Sequence, residues 1–146
     1  MSRRALPPVN VGSIVVAGSA VLVVVGAFLP WITVPGGDPL TSLQGTDLFL
    51  IESPLFNGLV TSTIAAIATP LALFLRTREW ITVLTAALGL VIEVIGVVFV
   101  IAPDVALGET VPGGTAVSLA SAGLGVYVTL VAGLGIILGS VVNYWW

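Results

Sequence analysis

The chain has 146 residues, of which 58% are hydrophobic and 8% charged, with a mean hydropathy of +1.20. A soluble domain uses about 25% charged residues to cover its surface, so most of this surface must face hydrocarbon, and one domain suits the length. The absence of Cys and His excludes disulfides, thiol nucleophiles, thiolate or imidazole metal sites and the usual proton shuttle near neutral pH, while seven acidic residues against four Arg argue against nucleic acid.

The N-terminus, Met1–Ser2–Arg3–Arg4, has the charged start of a signal peptide. The apolar run Val11–Leu29 is too long for an ordinary signal core and no Ala-x-Ala site follows it, so it reads as a retained first helix. A spanning helix needs ~20 mostly apolar residues, and four stretches qualify. The first is about 10–29, closed by Pro30. The second is about 54–75, with Ser53 as N-cap and Pro54 in the first turn; Pro70 should kink it. The third is about 80–102, closed by Pro103. The fourth is about 115–142, with Thr115 as N-cap after Pro112–Gly113–Gly114.

Between the spans lie a long loop, about 30–53, a tight turn, 76–79, and a modest loop, 103–114. Within the long loop, Pro35–Gly36–Gly37–Asp38–Pro39 reads as turn and Leu48–Phe49–Leu50–Ile51 as a short strand or an apolar lip. The basic residues Arg3, Arg4, Arg76 and Arg78 all fall before the first span or in the tight turn, so both termini and that turn are expected in the cytoplasm. Asp38, Asp47, Glu52, Asp104 and Glu109 then lie outside, where no basic residue accompanies them. They read as a solvated acidic face, since no calcium-loop spacing is present. Trp31 falls at the outer end of the first span, Trp80 at the inner end of the third, and Trp145 and Trp146 at the inner end of the fourth, as expected for interface anchors.

Helices in lipid associate through small residues and interhelical hydrogen bonds. Gly58, Ser62, Ala65, Thr69 and Ala72 form such a stripe on the second span, and Thr82, Ala86, Gly89, Glu93 and Gly96 on the third. Ser118, Ala122, Gly125, Thr129, Ala132 and Gly139 do so on the fourth, and Gly12, Val16, Ser19, Val23 and Gly26 give a weaker version on the first. Alternating spacings of four and three average 3.5 residues, which predicts a left-handed antiparallel bundle. The fold class expected is thus an all-α membrane protein, a four-helix bundle with a larger first extracytoplasmic loop. The third and fourth helices should meet through Gly89, Gly96, Gly125 and Ala132, while Gly135-x-x-x-Gly139 could seat a helix of the bundle or of an oligomer.

Glu93 is the one ionisable side chain inside a span, about thirteen residues and ~20 Å from the cytoplasmic start of its helix. No Arg is available at that depth to pair with it. The same distance along the fourth helix reaches Thr129, and the second helix offers Ser62 or Thr63. The plainer reading is a neutral acid hydrogen-bonded to Thr129 that holds helices together. The alternative is a minimal proton or ion pathway centred on Glu93 in an oligomer, which would need companion groups that are missing. Ser and Thr occur with no His or Lys to activate them, so no enzyme, cofactor or metal is expected.

Gly26–Ala27–Phe28–Leu29–Pro30–Trp31, followed by a Gly-rich loop and a second span, resembles small four-helix membrane proteins of halophilic archaea and actinobacteria whose first helix ends in Leu-Pro-Trp. The small four-span membrane protein of pleomorphic viruses of halophilic archaea is similar in size and layout. An acidic, Lys-free chain rich in Ala, Val and Gly suits such a source. The resemblance implies location and topology without an activity. Claudin-like proteins share the order of spans, but their paired Cys and Trp-rich loop motif are missing here. The function expected is a non-catalytic structural, accessory or envelope component of a cell or virion membrane. Its partners would be the lipid bilayer and either further copies or another membrane protein.

Overall fold

The computed structural model describes residues 10–33, 43–44, 58–74, 79–102, 110–111, 115–116 and 121–145. Its helices are α1 (Val11–Phe28), α2 (Gly58–Ala72), α3 (Glu79–Ile101) and α4 (Leu124–Trp145). Three of them, α1, α3 and α4, are long and apolar enough to cross a membrane, whereas α2 is a shorter apolar helix over its described residues. Short strands complete the fold: β1 (Pro30–Thr33), β2 (Leu43–Gln44), β3 (Thr110–Val111), β4 (Thr115–Ala116) and β5 (Ser121–Ala122). The Ser53–Pro54 cap, the Leu48–Ile51 strand, all four Arg, the five acids assigned to the outside and Trp146 lie outside the described residues.

Helix α1 starts where Asn10 supplies a cap: its side chain accepts from the Ser13 amide at 2.7 Å, satisfying one of the free N–H groups of the first turn. It stops where Pro30 forces the preceding Leu29 into an extended conformation (φ −85°, ψ 160°). Helix α2 runs through Pro70 and closes with tight turns, the Leu73 amide donating to the Pro70 carbonyl and Phe74 to Leu71. Helix α3 follows the expected range to within a residue at each end.

The fourth helix departs from expectation. It starts at Leu124 instead of Thr115 and runs on to Trp145. Thr115–Ala116 pairs antiparallel with Thr110–Val111, so Thr115 is a strand residue and no N-cap. Ser121–Ala122 pairs antiparallel with Ile32–Thr33, which removes Ala122 from the helical stripe; Ser118 lies outside the described residues. The Gly123 amide donates to the Trp31 carbonyl at 2.8 Å, and a Cβ at Gly123 would collide with the Pro30 carbonyl oxygen. Ala favours the helix while Ser and especially Gly weaken it, so propensity across Ser121–Gly123 is mixed and the available strand partner decides. β1 is the centre of a three-stranded sheet in the order β2-β1-β5, with Thr33 Oγ1 and Ser121 Oγ hydrogen-bonded at 3.0 Å.

Packing is led by α1 on α4, followed by α3 on α4 and α1 on α2. All of Gly12, Val16, Ser19, Val23 and Gly26 on α1 are buried. A Cβ on Gly12 would meet the Gly139 carbonyl oxygen at 2.5 Å, and one on Gly26 would meet the Gly125 carbonyl oxygen at 3.1 Å. The two helices therefore run antiparallel, backbone against backbone. Val16, Ala20, Val23, Ala65, Ala72, Ile81, Ile92, Ala132 and Ile136 make one buried cluster with residues from all four helices. A second, of Trp31, Ile32, Ile95, Phe99 and Val126, lies next to the sheet. Large apolar side chains such as Val11, Leu90, Val131 and Leu138 are exposed on the opposite faces.

Candidate functional site

Glu93 sits on α3 with its side chain half-buried, its carboxyl lying over the Gly133–Leu134 backbone of α4. A Cβ on Gly133 would come within 2.6 Å of Glu93 Oε1, so the glycine makes the room that the carboxyl uses. Oε1 itself is buried without a hydrogen-bond partner, while the Leu134 backbone hydrogen-bonds the carboxyl.

Thr129 does not answer it. The expected bond is not formed: Thr129 is fully buried and turned to α1, where a Cβ on Gly26 would meet its Oγ1 at 2.6 Å. The position on α4 in register with Glu93 is Gly133, one turn further along. Thr129 Oγ1 has no conventional hydrogen-bond partner, and the Gly26 Cα–H lying in the Cβ direction points at it as a weak donor. Ser62 Oγ is likewise buried and unpartnered, so the structure joins neither hydroxyl to Glu93. Thr63 is exposed and donates to its own Leu59 carbonyl at 2.8 Å.

The same inward turn recurs along the helices. Thr61 donates to the Gly58 carbonyl, Thr69 to Ala65, Thr85 to Ile81 and Ser140 to Ile136. Each hydroxyl is occupied by its own helix backbone, a local bond that leaves nothing for a neighbour. Ile92, which shares the space over Gly133 with the Glu93 carboxyl, is fully buried. Among the described residues no group of three His, Cys, Asp or Glu is placed to hold a metal ion.

The packing positions fall in two sets. Gly89 lies against Ile136, Ile137 and the Gly133 carbonyl, and Gly96 against the Leu130 side chain, which joins α3 to α4. Gly125 faces Trp31 and the Gly26 and Leu29 carbonyls, Gly135 faces Ser19, and Gly139 faces Gly12 and Val16, which joins α4 to α1. Ala132 is buried in the shared cluster.

Trp31 is corrected from interface anchor to core residue. It is fully buried, its ring meets Phe99 edge to face at 5.0 Å, and its indole N–H donates to the Gly26 carbonyl at 2.9 Å. Pro30 ends α1 just before Trp31, and the last-turn Gly26 carbonyl, which also accepts from the Leu29 amide at 3.2 Å, gives the indole its acceptor. Trp80 and Trp145 are exposed.

A polar clasp at the other end of the helices has no counterpart in the sequence reading. Asn10 Nδ2 donates to the Asn143 side-chain oxygen, tying the start of α1 to the end of α4. Ser13 Oγ donates to the Ala72 carbonyl at 2.5 Å, satisfying a terminal carbonyl of α2. The first span was expected to start at about residue 10, but the pairing of Asn10 with a residue near the other chain end had no local signal.

No family model, curated protein or solved structure matches this chain.

Proposed function

We propose that the chain is a non-catalytic integral membrane protein that serves as a structural, accessory or envelope component. In this reading all four apolar stretches span the bilayer as an antiparallel, left-handed bundle, 54–75 included. The Arg-bearing segments and both termini are cytoplasmic, and the β1 sheet stands on the outside. Large apolar residues exposed along α1, α3 and α4 support immersion in lipid, since a water-soluble monomer rarely exposes apolar patches of that extent. The resemblance carried by Leu29–Pro30–Trp31 suggests the same location and adds no activity.

The observation that carries a structural role over a conducting one is the isolation of the interior polar groups. The Thr129 and Ser62 hydroxyls and Glu93 Oε1 are buried without a partner, the Glu93 carboxyl meets the Leu134 backbone, and Thr61, Thr69, Thr85 and Ser140 bond back to their own helices. A proton path needs a connected file of such groups.

The test is reconstitution of the full chain into proteoliposomes carrying a pH gradient. The wild type and Glu93→Gln should both hold the gradient as protein-free liposomes do. Proton flux in the wild type that disappears in Glu93→Gln would replace the structural reading with a conducting one. Orientation is read on the same preparation route: in intact cells an impermeant thiol reagent should label Gly108→Cys and spare Ser2→Cys and Thr77→Cys.

A further inference from the structure

We draw no further inference here: the strongest candidate, the apolar α3–α4 face around Glu93, names no partner, because Glu93 Oε1 is buried inside the fold, the carboxyl is met by the Leu134 backbone of its own chain, and nothing in the structure shows what covers that face.

Discussion

Toward α1, helix α4 presents Gly125, Gly135 and Gly139, and much of what these meet is main chain: the Gly26, Leu29 and Gly12 carbonyls. Toward α3, Gly133 of α4 and Gly89 and Gly96 of α3 meet mostly side chain: Glu93 and Ile92 at Gly133, Leu130 at Gly96, and Ile137 and Ile136 at Gly89. The two interfaces use the same residue type for different ends. Against a side chain, a glycine is a socket, and the tip filling it can rotate aside. Against a backbone, a glycine sets how near two helix axes can come, and nothing yields unless a whole helix moves. Composition treats Gly96 and Gly125 alike; the fold does not.

Alanine scanning of the glycines separates the two cases. Gly125→Ala should show the largest effect, because its Cβ would fall 2.5 Å from the Trp31 ring and 2.6 Å from the Gly26 carbonyl oxygen. Overpacking less the gain in helix propensity leaves a loss of about 2 kcal/mol, read as a lowered unfolding midpoint in mild detergent. Gly96→Ala meets only Leu130, whose side chain can shift rotamer, so its stability should stay within about 0.5 kcal/mol of the wild type. If the two substitutions cost the same, the socket and the backbone contact are not distinct.

Gly18→Ala anchors the small end of the scale. Nothing lies within 4 Å of the Cβ it would add, so only propensity acts, and the helix should gain about 0.5–1 kcal/mol. A loss of stability at this position would mean that a neighbour packs on Gly18, and the assignment of helix faces would need revision.

Much of this arrangement was legible in the sequence because helix faces are periodic. The Gly12, Val16, Ser19, Val23, Gly26 series, the faintest of the four stripes, is wholly buried, and the range of α3 followed from an apolar run bounded by Trp80 and Pro103. What was not legible depended on a distant partner. Residues 115–122 have a composition that a helix accepts, but Ser121–Ala122 lies beside Ile32–Thr33 and takes strand pairing instead. Trp31 sits where a membrane-interface residue belongs in the sequence, yet the turn at Pro30 carries it onto Phe99 and the Gly26 carbonyl. Glu93 was singled out as the one acid within an apolar span, and depth counting paired it with Thr129, whereas the residue beneath the carboxyl is Gly133, one turn away. Depth along a helix can be counted from sequence, but the azimuth at which two helices meet cannot.

The central claim, that backbone contact between the first and last helices holds the molecule together, is tested most directly by a double-mutant cycle at Gly12 and Gly139. A Cβ on Gly12 would fall 2.5 Å from the Gly139 carbonyl oxygen, and one on Gly139 would fall 2.9 Å from the Gly12 carbonyl oxygen. Either alanine alone must push the helices apart, after which the second finds the space already opened. Unfolding free energies of Gly12→Ala, Gly139→Ala and the double variant should therefore be coupled, the double costing less than the sum by about 1 kcal/mol. Additivity to within about 0.3 kcal/mol would show that the two glycines act independently, and would contradict the contact on which the fold described here depends.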